Sequence, residues 1–255
     1  MNFIEGVILG IIQGFTEFLP ISSSGHLVLA QELLGIKQPG NEFEILVHIG
    51  TLCSILVVFY TDIKSLLFSL RSKQTQKFLF FVTIGTMPAV AIGLGLKDEL
   101  TSLFDNNIVV ASALMFTGIV LICSYFFKIR NKKQNIIISI LIGFAQAIAI
   151  IPGVSRSGMT ISCGLMLGLD SKIAARYSFL LAIPIIGGAG ILTAIDLDNN
   201  FQMELFTSLS AFVSSFIVGV LALKWLLGWL EDGKFHYFGV YCLIIGAIVN
   251  VYKWI

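Results

Sequence analysis

Two short stretches of this 255-residue chain concentrate the side chains able to do chemistry. In one, Glu17 and Pro20 precede Ser22, Ser23, Ser24, Gly25 and His26; in the other, Pro152 precedes Ser155, Arg156, Ser157 and Gly158. Arg156 offers a planar fork that grips phosphate oxygens in pairs. A hydroxyl flanks it on each side, a pattern that suits phosphate better than a metal or a neutral solute. The three serines lie two to four residues before His26, so a serine nucleophile and an imidazole can share one helical turn. The same serines can instead serve only as caps of a helix start. Glu17 and Arg156 also admit two readings, a structural ion pair or a ligand-handling pair, and the second is preferred.

These residues have to be positioned inside a membrane. The chain is 56% hydrophobic and 12% charged, with a mean hydropathy of +0.93, whereas soluble domains carry about a quarter charged residues. A formal net charge of +1 without a basic tail gives no support to nucleic-acid binding. Cys53, Cys123, Cys163 and Cys242 are singletons in apolar runs, lack the paired spacing of zinc or redox motifs, and read as small buried hydrophobes. The first residues carry Glu5 and no basic cluster, so the first apolar run is expected to be retained and not cleaved. Glu5 itself reads as a capping or surface carboxylate.

Six apolar runs are long enough to cross a bilayer, at about 43–60, 78–96, 108–127, 173–195, 206–227 and 236–255. Four others, 3–19, 25–36, 136–151 and 159–169, are too short or interrupted. A 12-residue helix rises about 18 Å against a hydrocarbon core of about 30 Å, so each short pair is expected to dip in and return. The expected fold class is an all-α polytopic membrane protein, one membrane domain over 1–255, with six transmembrane helices and two re-entrant helix hairpins.

Charge between the runs supplies orientation, because cytoplasmic loops accumulate Lys and Arg. The segments 61–77 and 128–135 are basic, while 97–107 and 196–205 are mainly acidic; 228–235 is uninformative. Six crossings put every informative loop on its preferred side and both termini outside.

A duplication underlies this pattern. Gly10 and Gln13 recur as Gly143 and Gln146, and Ser22 and Gly25 recur as Ser155 and Gly158, all at an offset of 133 residues. The halves, about 1–130 and 131–255, each hold one hairpin and three spans. An odd number of crossings inverts the second half, so the two hairpins approach the midplane from opposite faces. Broken backbone at membrane depth is tolerated only where it is buried or lines a watery cavity. Each break opens a half-helix whose free N–H groups and positive dipole end favour an anion. Intramembrane ionisable residues are costly, so Glu17, His26, Arg156 and Arg176 are expected to surround that cavity. His48, alone on a span, reads as a satisfied interior histidine.

The two serine-rich motifs, together with Ala174, Arg176, Tyr177, Ser178, Phe179 and Pro184, resemble the undecaprenyl-diphosphate phosphatases of the bacitracin-resistance type, from end to end of the chain. The resemblance implies hydrolysis of a polyprenyl diphosphate lipid to the monophosphate carrier of cell-wall synthesis, in the bacterial inner membrane, at a site facing the periplasm. It also implies a divalent cation, Mg²⁺ or Ca²⁺. By position, Ser23 corresponds to the nucleophile, His26 to its proton-transfer partner, Glu17 to the metal or proton-handling carboxylate and Arg156 to the diphosphate clamp. Ser22, Ser24, Ser155, Ser157, Gly25, Gly158 and Gln13 complete the expected substrate contacts. Members of that family often carry glutamate where this chain has Gln13, so a single carboxylate must suffice here or the phosphates must supply most of the metal ligands; the second is preferred.

A transporter or flippase of a polyprenyl phosphate lipid is the alternative, since inverted repeats with broken helices suit alternating access. A purely structural scaffold fits poorly with so many intramembrane polar residues. A homodimer is compatible with the sequence, which does not fix the oligomeric state.

Overall fold

The computed structural model describes residues 1–36, 42–96, 106–127, 130–196 and 204–252, with Glu99 and Leu103 between them. Among the described residues the chain is all helical: α1 (Phe3–Phe18), α2 (Ser23–Leu33), α3 (Glu42–Val58), α4 (Tyr60–Phe68), α5 (Lys73–Gly95), α6 (Asn107–Tyr125), α7 (Ile136–Ile148), α8 (Arg156–Met166), α9 (Ser171–Asp196), α10 (Leu205–Glu231) and α11 (Tyr237–Tyr252). Helices α5, α6, α9 and α10 are each long and apolar enough to cross a membrane, and α3 with α4 makes a fifth such element, bent by 71°. Large apolar side chains such as Phe116, Phe144, Ile217 and Leu221 point outward, as a lipid-solvated surface requires. The chain is a multi-pass membrane protein.

The run expected at 43–60 ends earlier than its composition suggests. Helix α3 stops at Val58, Phe59 leaves helical geometry, and the chain departs in a new direction as α4, which carries Asp62 and Lys64. Those charges oppose a straight continuation through hydrocarbon.

Helix starts are set by local capping. Asn2 caps α1 and forms a reciprocal capping box with Glu5, in agreement with the capping role read for that carboxylate. Asn135 caps α7. Ser22 caps α2 through the Gly25 N–H, and Ser155 caps α8 through the Gly158 N–H. Helices α2 and α8 both have 11 residues. Asn2 and Asn135 stand at the same 133-residue offset as the serines, which adds a pair to the duplication.

Small residues bring the helices together. Helix α1 packs on α10 and α7 on α5. A Cβ on Gly10 would lie 2.6 Å from the Ala211 carbonyl oxygen, and one on Gly143 would lie 2.6 Å from that of Gly85. Such close backbone approach replaces the hydrophobic driving force that lipid removes. The largest core cluster joins Phe18, Ile55 and Leu114 of the first half to Ile142, Tyr177 and Leu226 of the second. The cysteines depart in part from expectation: Cys242 is buried and Cys53 and Cys163 are partly so, but Cys123 is exposed on the apolar outer face of α6.

Candidate active site

The two helix breaks touch. A Cβ on Gly25 would meet the Gly153 Cα at 3.3 Å, and one on Gly158 would meet the Pro20 Cβ at 3.3 Å. Each glycine thus keeps the space through which the opposite break approaches. Gly153 also has φ +92°, and a Cβ there would lie 2.2 Å from the Val110 carbonyl oxygen, so the position admits only glycine. The Ser155 N–H donates to Thr117 Oγ1 on α6 at 3.1 Å, which anchors the second break.

The first break holds backbone strain. Ser22 has φ +67°, whereas Ser155, its counterpart, has φ −81°. Such a conformation costs a non-glycine residue about 1–3 kcal/mol and persists where surrounding structure enforces it, often at functional sites. At this turn the Ser23 hydroxyl donates to Glu17 Oε2 at 2.6 Å.

Glu17 is the hub. Its side chain is 7% exposed, Oε1 accepts from Arg156 Nη2 at 2.7 Å, and Oε2 also accepts from Gln13 Nε2 at 3.1 Å. His48 Nε2 lies 3.8 Å from the same Oε2. The carboxylate from α1, the guanidinium from the start of α8 and the imidazole from α3 therefore converge on one point, reached by chain segments far apart in sequence.

Around this point lies a cavity of about 370 Å³. Its polar end holds Glu17, Ser22, Ser23, Ser24, Ser155 and Arg156, with Glu44, His48 and Gln146 beside them. Its other walls are apolar, from Ala89 of α5, Ala149 and Ile150 after α7, and Ile185, Ile186 and Ala189 of α9. The lining thus combines hydrogen-bonding and charged groups with hydrocarbon surface.

Several expected site residues lie outside this lining. Gln13 is fully buried, does not line the cavity, and donates from Nε2 to Glu17 Oε2. Gly25 and Gly158 are spacers between the two breaks, and Ser157 turns toward the Leu19 carbonyl oxygen at 3.4 Å. His26 is directed away: Nδ1 contacts the Ser22 carbonyl oxygen at 2.8 Å and Nε2 contacts the Tyr241 hydroxyl at 2.9 Å, with the two rings stacked. It is not the hydrogen-bond partner of Ser23. Three residues turn a helix by about 300°, so His26 leaves α2 only about a sixth of a turn from Ser23, and it is the ring's own contacts with Ser22 and Tyr241 that aim it elsewhere. Arg176 is also outside; it pairs with Asp62 of α4 and lies 4.8 Å over the Phe78 ring. It stands nine residues before Ile185, about 14 Å along α9 from the cavity wall.

Sequence reasoning underweighted His48, used Gln146 only as a repeat marker and passed over Glu44. The spacing of Glu44 and His48, one turn apart on α3, was the available signal, but it does not say which neighbour that helix face meets.

The chain is thus a multi-pass helical membrane protein in which two helix breaks meet at a cluster of serine, carboxylate and arginine side chains lining one cavity. Residues 6–248 match the family described as Bacitracin resistance protein BacA, and the chain belongs to that family. It is 40% identical to the undecaprenyl-diphosphatase of Desulforapulum autotrophicum, over 97% of this chain and 97% of that protein. It is 38% identical to undecaprenyl-diphosphatase 1 of Bacillus licheniformis, over 98% of this chain and 97% of that one. Identity to the undecaprenyl-diphosphatase of Bacteroides thetaiotaomicron is 36%, over 98% and 99%.

Proposed function

We propose that this protein is a membrane phosphatase that hydrolyses undecaprenyl diphosphate to undecaprenyl phosphate and inorganic phosphate, recycling the carrier lipid of cell-wall synthesis and conferring bacitracin resistance. The observation that carries this reading is the Ser23 hydroxyl held 2.6 Å from a carboxylate whose other oxygen is held by Arg156. The names of its relatives agree with it.

In the proposed reaction the head group enters the polar end and Arg156 grips its oxygens while the prenyl chain follows the apolar walls. Ser23 Oγ attacks the terminal phosphorus and passes its proton to Glu17 Oε2. The Oγ–P bond forms as the bond from phosphorus to the bridging oxygen breaks, and the lipid monophosphate leaves with the proton relayed from Glu17. Water then attacks the phosphoserine phosphorus as the Oγ–P bond breaks, Glu17 taking the water's proton and passing it to Ser23 Oγ, and inorganic phosphate departs. His48 is placed to tune and exchange the Glu17 proton. His26 and Tyr241 act as positioning residues, fixing the strained Ser22 turn from behind.

The donor set does not build a metal site by itself. Among the described residues no group of three or more His, Cys, Asp or Glu side chains could hold an ion, and Glu17 already accepts from Arg156, Ser23 and Gln13. Glu17 as a metal ligand is therefore not carried forward, and no step above runs through a metal. A Mg²⁺ or Ca²⁺ requirement is proposed as chelation by the diphosphate itself before entry.

The proposed architecture is six spans and two re-entrant hairpins, α1 with α2 and α7 with α8, in one domain of two inverted repeats. The exchange of α1 on α10 for α7 on α5 supports it, as do the matched caps. The site is proposed to face the periplasm of the inner membrane, with both termini on that side. Glu44, His48, Ala89 and Ala189 come from the ends of α3, α5 and α9 remote from the basic loops, which supports that orientation. A homodimer is compatible with this reading.

Nothing in the site favours the transporter reading, since a serine hydrogen-bonded to a carboxylate serves hydrolysis and is superfluous to head-group transfer. The test is phosphate release from undecaprenyl diphosphate by purified protein in detergent. Turnover by the wild type that Ser23→Ala abolishes is expected; equal turnover by both proteins would contradict the reading.

A further inference from the structure

Gln146 is 2% exposed, lines the cavity, and neither its Nε2 nor its Oε1 has a hydrogen-bond partner. Buried carboxamides are ordinarily satisfied, because an unpaired donor or acceptor loses its water without replacement. The counterpart Gln13 uses Nε2 to orient Glu17 and does not line the cavity. The two copies of one residue have therefore diverged in use: Gln13 bonds Glu17 through Nε2 and leaves only Oε1 unpaired, whereas Gln146 belongs to the cavity lining with both amide atoms buried and unpaired. A second buried donor of the cavity lining is also unpaired, Nη1 of Arg156, whose Nη2 is engaged by Glu17.

The geometry points to Gln146 and Arg156 Nη1 as the cradle for the inner, lipid-linked phosphate of the diphosphate, which leaves the terminal phosphate to Ser23. This rests on the hydrolysis proposed above. The side of the cavity decides the assignment. Ala149 and Ile150 stand three and four residues after Gln146, about one helical turn on and just past the end of α7, and line the cavity with Ile185, Ile186 and Ala189, whereas Ser23 and Glu17 are hydrogen-bonded to each other at the first break. The phosphate attached to a hydrocarbon chain must lie between the two. Gln146 Nε2 and Arg156 Nη1 both donate to its non-bridging oxygens. Gln146 thereby binds substrate through the part that is not cleaved. Its loss should weaken binding more than turnover.

The test is Gln146→Met, which keeps length and volume without polar atoms, in purified protein with farnesyl diphosphate. KM should rise about tenfold with kcat within about twofold, and the melting temperature should stay level or rise, because a frustrated buried amide has been removed. A residue serving only packing would behave in the opposite way. A KM change under threefold, or a rise in KM accompanied by a lower melting temperature, overturns the inference whatever kcat does. Wild-type protein that releases no phosphate removes the hydrolysis and this inference together; normal wild-type turnover with an indifferent Gln146 removes the inference alone.

Discussion

Arg156 Nη2 lies 2.7 Å from Glu17 Oε1, joining residues 139 apart in sequence across the meeting point of two broken helices. Both side chains are largely buried, at 14% and 7% exposure, and both line the cavity. The contact is therefore compatible with both sequence readings: it ties distant segments together, and it lines the cavity proposed for the substrate.

Removal of one partner from a buried pair typically costs about 3–5 kcal/mol, because the other charge is stranded. Arg156→Gln and Glu17→Gln should each lower the melting temperature in detergent, and the double variant should lose less than the sum. Additive losses in a double-mutant cycle would show that the pair is not coupled.

The serines should separate by role. Ser23→Ala should lower kcat by at least about a hundredfold, the scale of a lost nucleophile or activated hydroxyl, while Ser24→Ala should stay within about tenfold. Phosphate-release kinetics on both purified variants checks this; similar effects from the two would argue that neither hydroxyl attacks.

His26 distinguishes positioning from proton transfer. Its ring contacts Tyr241 and the Ser22 carbonyl oxygen, each a single hydrogen bond whose loss costs about 0.5–1.5 kcal/mol. His26→Ala should therefore reduce kcat by about tenfold and Tyr241→Phe by about threefold, with Ser23→Ala far below both. A His26→Ala loss matching that of Ser23→Ala, with Tyr241→Phe unaffected, would restore the histidine as the proton acceptor.

Close helix approach gives a stability prediction. Gly10→Val and Gly143→Val place side chains against the Ala211 and Gly85 carbonyl oxygens and should both lower yield and melting temperature sharply. Gly228→Ala, where nothing lies within 4 Å, should be tolerated. Equal melting temperatures for all three would contradict the packing described for α1 on α10 and α7 on α5.

What the sequence revealed follows from the range of its signals. Breaks, caps and the repeat are local or periodic, so Pro20, Ser22, Ser155 and the 133-residue offset were legible in the sequence. Glu17, Ser23 and Arg156 were expected to meet because they flank the two serine-rich breaks, and the structure brings them together. Direction around a helix axis and distance along it were not legible. His26 shares a turn with Ser23 yet faces Tyr241, and Arg176 lies at the wrong height on α9. His48 and Gln146 became site residues only when α3 and the end of α7 were placed against the same cavity. The bend at Phe59 was hidden because an apolar run reads the same whether it continues or turns.

The most direct measurement is an experimental structure of the protein with a non-hydrolysable prenyl diphosphonate bound. The account predicts the terminal phosphorus beside Ser23 Oγ, Arg156 on the head-group oxygens and the prenyl chain along Ile150, Ile185 and Ala189. A head group bound elsewhere, with Ser23 and Arg156 untouched, would contradict it.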